Sequence, residues 1–220
     1  MWLLDALRPS TSPLVAQGTT TVCSMLDTSA KMFEASTACL LDNKPLKTDL
    51  GEMDDRVNAG EREVRRVVLE HLAVSPQDDL SWSLLLLSAI QDAERSGDLS
   101  KSLAKVAALA TDPREGEHVE ALRTIRDDVH AMFGNTKKAF SKGDVDTAHD
   151  VMRSNKRMKA RVADLLGAIA ADASLTPNAA MVLALSARLI GRMASHLSNV
   201  ASAVAMPFDQ VRNAPLQKVA

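Results

Sequence analysis

The chain has 220 residues, 46% of them apolar and 25% charged, and its 26 Lys and Arg against 28 Asp and Glu leave a formal net charge of -2. This composition describes a soluble, well-cored globular chain, and no apolar run approaches the roughly 20 residues a membrane-spanning helix needs. With no Tyr, two Trp and four Phe, it lacks both the basic excess and the stacking rings of a nucleic-acid binder.

The opening Met1-Trp2-Leu3-Leu4 is apolar, but Asp5 and Arg8 interrupt it and Pro9 and Pro13 follow, so no signal peptide is expected and the expected compartment is the cytoplasm. Glycines and prolines punctuate long stretches rich in Ala, Leu, Ser, Val, Lys and Arg, which is the pattern of helices joined by short loops. A first helix over residues 12–42 carries Val22, Met25, Ser29, Met32, Ser36 and Leu40 on one stripe and ends before Asn43-Lys44-Pro45. Cys23 and Cys39 would then stand about 24 Å apart along it and are expected as reduced thiols. A second helix, from about residue 47 to Ser75-Pro76, aligns Met53, Val57, Gly60, Val64, Val67 and His71. The third aligns Leu86, Ile90, Ala93, Gly97, Ser100, Ala104 and Ala107 up to Thr111-Asp112-Pro113.

The pattern then repeats. Val119, Leu122, Ile125, Val129, Met132 and Phe140 mark a fourth helix ending near Lys142-Gly143-Asp144, a fifth runs to about Ala173, and Thr176-Pro177 opens a sixth with Leu183, Ala187, Ile190, Ala194, Leu197, Ala201 and Val204 on its stripe. Short loops favour antiparallel neighbours. The expected fold is therefore all-α, with two tandem antiparallel three-helix bundles over 12–112 and 113–206 and a loose tail over 207–220.

Asp54, Asn58 and Glu61 form a second row on the second helix, each one residue after a core position, and Glu94 and Asp98 stand in the same relation to the core stripe of the third. If the two helices fold back about Pro76, Asp54 meets Asp98 and Asn58 meets Glu94 at equal heights. A solvated helix face with Arg62, Arg65, Arg95 and Lys101 nearby would show similar charges; the level pairing is what makes a site of them. Like charges that close must be protonated, paired with a cationic side chain or bridged by a metal. Oxygen-only ligation suits Mg, Ca, Mn or carboxylate-bridged iron.

The segments Asp54-Asp55-Arg56-Val57-Asn58-Ala59-Gly60-Glu61 and Glu94-Arg95-Ser96-Gly97-Asp98-Leu99-Ser100-Lys101 resemble the two signature segments of the PhoU family, and the resemblance extends over nearly all of residues 12–206. It implies two three-helix bundles in tandem, each able to hold a multinuclear metal cluster of iron, zinc, manganese or magnesium on acidic motifs. It also implies a cytosolic negative regulator of phosphate uptake and the phosphate-starvation response, partnered by a phosphate transporter, a membrane sensor kinase or both. The resemblance further implies a protein peripheral to the membrane at most, and a homodimer. An accessory of a sodium-phosphate or other secondary transporter is the alternative within the family; a carboxylate-bridged di-metal enzyme is the alternative outside it, and a helical module with a solvated acidic row is a third. The sixth-helix segment Arg188 to Val200 is similar to its counterpart too, but Gly191 stands where the family has Glu and Ser195 where it has Asp. Asn155 and Lys159 replace two acids on the fifth helix, and the pairs Asn155–Ser195 and Lys159–Gly191 both centre on residue 175. A lysine beside an uncharged pocket repels a divalent cation. Metal is therefore expected on the first bundle only, at Asp54, Asn58, Glu61, Glu94 and Asp98.

Other constellations are weaker. Glu115-Gly116-Glu117-His118 is a single Glu-x-x-His where a ferritin-like site needs two with two further Glu, and Glu near a helix N-terminus is ordinary dipole complementation. Asp127-x-x-His130 and Asp146-x-x-His149 lack the glutamate. His196 is expected as a hydrogen-bonded helix-interface residue. No phosphate-binding glycine loop, GxSxG or HExxH occurs, so no catalytic residue is assigned and an enzyme is not expected.

Overall fold

The computed structural model describes residues 13–212 apart from Pro76 and Asp78, with the side chain of Leu14 also left out. The predicted opening segment and the fold-back residue Pro76 lie outside the described residues, as does the tail beyond Arg212. Within them lie six helices: α1 Pro13–Leu41, α2 Leu50–Val74, α3 Leu80–Ala107, α4 Glu117–Lys142, α5 Val145–Ala171 and α6 Pro177–Ala205, followed by a 3-10 turn Phe208–Gln210. Each matches a helix expected from the sequence to within a few residues.

Their ends follow local chemistry. The Asp49 side chain accepts from Gly51 and Glu52 N–H at the start of α2, Asp144 accepts from Thr147 N–H at the start of α5, and Thr176 accepts from Ala179 N–H ahead of Pro177 at the start of α6. Gly143 closes α4 with φ 62°, a left-handed conformation that costs glycine little. The Thr147 hydroxyl and N–H, then Lys138, hold the Asp144 carboxyl down at about 2.

α1 packs against both α2 and α3, and α2 against α3; in the second half α6 packs against both α4 and α5, and α4 against α5. Neighbours in sequence run antiparallel: Gln17 of α1 bonds Glu63 of α2, Asp54 of α2 meets Lys101 of α3, Asp128 of α4 pairs with Arg161 of α5, and Asn155 of α5 meets Ser195 of α6. Gly60 lets α1 and α2 approach so closely that a Cβ there would lie 2.8 Å from Met25 Cγ.

The halves are not loosely strung. α3 lies along α6 and α1 along α4, and one continuous apolar cluster runs from Val15 through to Val211. Phe33 and Phe133 meet across the α1–α4 seam with ring centroids 5.7 Å apart, and Trp82 stacks on Phe140 at 5.5 Å. The last carbonyls of α1, which have no partner within the helix, are taken by arginines of the other half: Arg114 donates to Cys39 O and Leu40 O, and Arg123 to Leu41 O. Asp42 just beyond accepts from both Arg123 and Arg126. Cys23 is buried, Cys39 half-buried, and both are free thiols.

Candidate functional site

The α2–α3 hairpin brings the predicted acidic residues to one place. Asp54 is buried at 8% exposure, beneath the bare Cα of Gly97, where an added Cβ would lie 3.4 Å from Asp54 Oδ1. Asn58 Nδ2 donates to Asp54 Oδ2 at 3.0 Å from one helical turn away. The level pairing of Asp54 with Asp98 holds, through a group the sequence placed on the solvated face: Lys101 Nζ reaches Asp54 Oδ2 at 2.6 Å and Asp98 Oδ1 at 3.0 Å. Arg95 Nη1 donates to Asp98 Oδ2 at 3.0 Å, and its Nε lies 3.6 Å from Glu94. Glu61 pairs with Arg65 at 2.7 Å, one turn along α2.

The electrostatics divide the row in two. Burial would push the Asp98 carboxyl up, but the hydrogen bond and charge of Lys101 outweigh it and hold the group below the usual carboxylate range. Burial would likewise lower the Lys101 ammonium, and its bonds to Asp54 and Asp98 raise it instead. Glu94 goes the other way: burial first, then the charge of Asp98 and more weakly that of Glu61, raise its carboxyl against the opposing pull of Arg95. Negative charge at Glu94 is therefore incompletely balanced by the side chains around it.

By chemistry alone this donor set is of the kind an oxygen-preferring cation takes. Asp54, Glu61, Glu94 and Asp98 carry carboxylates and Asn58 an amide oxygen, the donor types such a cation takes, although among the described residues no three of these carboxylates converge within ligand distance of one another. Lys101 already delivers one charge between Asp54 and Asp98, so a cation there has to displace it; the side chain is 31% exposed and has water to move into.

In the second half Ser195 Oγ donates to Asn155 Oδ1 at 3.3 Å, so the hairpin centred on residue 175 brings together the pair expected of it, an amide and a hydroxyl without a carboxylate. Lys159 does not turn toward that pocket. It is exposed, and the side chain over Gly191 is Val162, whose Cγ2 would lie 3.2 Å from an added Cβ. An apolar neighbour offers the ammonium nothing, and water does.

His196 is the interface residue expected, and its partner is one the sequence did not single out. Asp92 of α3, 1% exposed, accepts from His196 Nδ1 at 2.8 Å, Asn199 Nδ2 at 3.0 Å and Arg212 Nε at 2.7 Å. Burial alone would raise this carboxyl; the bonds from His196, Arg212 and Asn199 hold it below the ordinary range. Asp92 lies directly before Ala93 of the core stripe, a place that does not by itself separate a buried acid from a solvated one, and its partners are more than a hundred residues away.

The Glu-x-x-His motif does not assemble as written. Glu115 is exposed, while His118 is buried and its Nε2 lies 2.9 Å from Asp172 Oδ2, at the residue that closes α5. Glu117 stands close enough to complete a group of three potential ligands. The Ser174 hydroxyl and N–H, then His118, lower the Asp172 carboxyl, so these contacts serve the ends of α4 and α5. His130 is exposed and His149 half-buried, neither in a ligand group among the described residues.

An all-α chain of two tandem bundles, with a carboxylate-rich hairpin in the first and a neutral one in the second, is the class of protein that the fold and site define. The family model described as the PhoU domain matches it twice, over residues 22–107 and 122–204, and the chain belongs to the PhoU family. Among solved structures it is similar to PhoU from Pseudomonas aeruginosa, at 22% identity and a TM-score of 0.78 over 85% of this chain and 93% of that one. It is also similar to the phosphate transport system regulatory protein PhoU from Streptococcus pneumoniae, at 15% identity and a TM-score of 0.77 over 86% and 92%. No individually curated protein sequence matches the chain.

Proposed function

We propose that the protein is a regulator of phosphate uptake: a cytoplasmic, non-enzymatic adaptor that restrains transport and the phosphate-starvation response when phosphate is abundant. The observation that carries this is the double match of the PhoU domain, one copy in each half, joined by the name of the similar Streptococcus pneumoniae protein as a phosphate transport system regulator. No helix among the described residues is long and apolar enough to cross a membrane, so its partners, a phosphate transporter, a membrane sensor kinase or both, would be met from the surface. Regulation of this kind requires different affinities for two states of the partner. Deleting the gene and following uptake of labelled phosphate in phosphate-rich medium tests it: unrestrained uptake is expected, and uptake identical to the parent strain would sink the role.

The first half is the proposed metal site, on Asp54, Asn58, Glu61, Glu94 and Asp98. A bound divalent ion or cluster would supply positive charge and a rigid tie between α2 and α3, displacing Lys101 into water, while Arg95 orients Asp98 and Glu94 from outside. Elemental analysis of untagged protein supplied with Fe, Mn, Zn and Mg, beside the Glu94→Ala, Asp98→Ala double variant, checks this. Metal in the parent that vanishes in the variant is expected; none in either removes the site. Light scattering on the same samples reads whether the chain is the dimer the resemblance implies.

A further inference from the structure

The α3 segment Glu94-Arg95-Ser96-Gly97-Asp98 and the α6 segment Gly191-Arg192-Met193-Ala194-Ser195 hold corresponding places in the two halves. On α3 the arginine is engaged, with Asp98 at 3.0 Å and Glu94 at 3.6 Å. On α6 both acids are missing. Ser195 turns its hydroxyl to Gly191 O and Asn155, and Arg192 is left with no ion pair or side-chain hydrogen bond among the described residues.

Arg192 faces a specific place. Where α6 lies along α3, the two helices border a groove of about 330 Å³ lined by Arg95, Asp98, Lys101, Ser102, Lys105 and Arg192. Asp98, the lone carboxylate of this lining, is already held by Lys101 and Arg95. Lys105, like Arg192, has no partner among the described residues. Two helices thus bring uncompensated positive charge to one concave surface, where the cations repel each other unless water or an anion bridges them.

We propose that this groove binds a phosphate-class oxyanion, gripped between Arg192 and Lys105. A guanidinium presents two parallel N–H donors that match a tetrahedral oxyanion, and an ammonium adds a compact charge. The lining carries no aromatic ring on which a nucleobase could stack, so the ligand is a small phosphate or phosphoanhydride rather than a nucleotide. Free inorganic phosphate and the headgroup of an anionic phospholipid share this chemistry. The groove shares Asp98, Arg95 and Lys101 with the acidic row, but the two gripping residues, Lys105 and Arg192, are not among the proposed metal ligands, so the binding test is run on metal-free protein and is read independently of the regulatory role.

The test is titration of the purified full chain with inorganic phosphate and with pyrophosphate at low ionic strength, followed by amide chemical shifts or calorimetry, beside sedimentation with phosphatidylglycerol and phosphatidylcholine vesicles. The variants are Lys105→Ala with Arg192→Ala, and as a control Lys156→Ala, an exposed cation of α5 outside the groove. Both altered sites are exposed, and a thermal melt verifies that the fold survives. Saturable phosphate binding by the parent and the control, weakened about tenfold or more in the double variant, is expected. Binding only to phosphatidylglycerol vesicles, lost in the same variant, supports the groove and assigns the oxyanion to lipid. Equal binding by parent and double variant, or binding to none of these probes, overturns the proposal.

Discussion

The two halves use the same hairpin to opposite electrostatic ends. In the first, α2 and α3 bring Asp54 and Asp98 together, and the charge is met from within by Lys101 at 2.6 and 3.0 Å. In the second, α5 and α6 bring Asn155 and Ser195 together at 3.3 Å, a neutral contact needing no counter-ion. The absence of acids there has a second consequence, because it leaves Arg192 without a partner among the described residues. The difference teaches that a helical scaffold keeps its geometry when the charges on it are exchanged, since the stripes that pack it are apolar in both halves.

The buried polar tie between the halves, beside their shared apolar cluster, is Asp92 with His196, Asn199 and Arg212, and its removal should have the largest effect. Asp92→Ala strands His196, Asn199 and Arg212 around an empty acceptor site and is expected to cost about 3 kcal/mol, as for other broken buried pairs. Urea unfolding measures it; a loss under about 1 kcal/mol would mean that the seam is held by its apolar contacts alone. Asp92→Asn keeps an acceptor and should lose less. The depressed carboxyl also gives a pH signature. A group whose folded pKa lies below its unfolded value contributes stability that is present above the unfolded value, near 3.9, and is lost as pH falls through the folded one. Asp98, Asp144 and Asp172 share that direction, so the quantity to follow is the difference between parent and Asp92→Asn, which should shrink below about pH 4. A difference unchanged down to about pH 2 would remove the charge of Asp92 from the account.

Lys101→Met sharpens the comparison within the first half. It removes the internal cation while keeping the length of the side chain, so Asp54 and Asp98 lose their bridge. Without metal the cost is expected to be about 1 kcal/mol, after allowance for a partly exposed ammonium. Uptake of divalent metal should rise relative to the parent, because no side chain need be displaced. Elemental analysis under matched loading gives the ratio, and equal or lower uptake in the variant would show that Lys101 does not compete for the site.

These features were unequally visible in the sequence. The pairings Asp54–Asp98 about residue 76 and Asn155–Ser195 about residue 175 could be found by counting because each joins helices that are neighbours in the chain, where a short loop fixes both register and direction; counting did not foresee that Val162 and not Lys159 covers Gly191. The cap at Thr176-Pro177 and the glycine stop at Gly143 were equally local. Asp92 was not, since an acid beside a core stripe reads the same whether it meets water or an arginine 120 residues later. Nothing local to Arg114 and Arg123 separates them from ordinary surface charge, and only the packing of α4 along α1 shows them closing a helix end. Lys101 was read as part of a solvated face because a flexible side chain one turn from an acid has several partners within reach, and the fold decides among them.

The smallest expected change in stability is the most informative about function. Ser195→Asp restores to α6 the acid that α3 has at the matching position, and gives Arg192 the i, i+3 partner that Asp98 gives Arg95 at 3.0 Å. Such helix-surface pairs contribute only about 0.2–0.5 kcal/mol, so the unfolding midpoint should barely move. Ser195 also lies against Asn155, whose amide can turn to donate to the new carboxylate as Asn58 does to Asp54. If the groove binds oxyanions through an unpaired Arg192, one added carboxylate both occupies the guanidinium and repels the ligand, and affinity should fall several-fold with the fold intact. Unaltered phosphate binding in Ser195→Asp, against a clear loss in Lys105→Ala, would shift the grip from Arg192 to the α3 lysines and confine the anion to one wall of the groove.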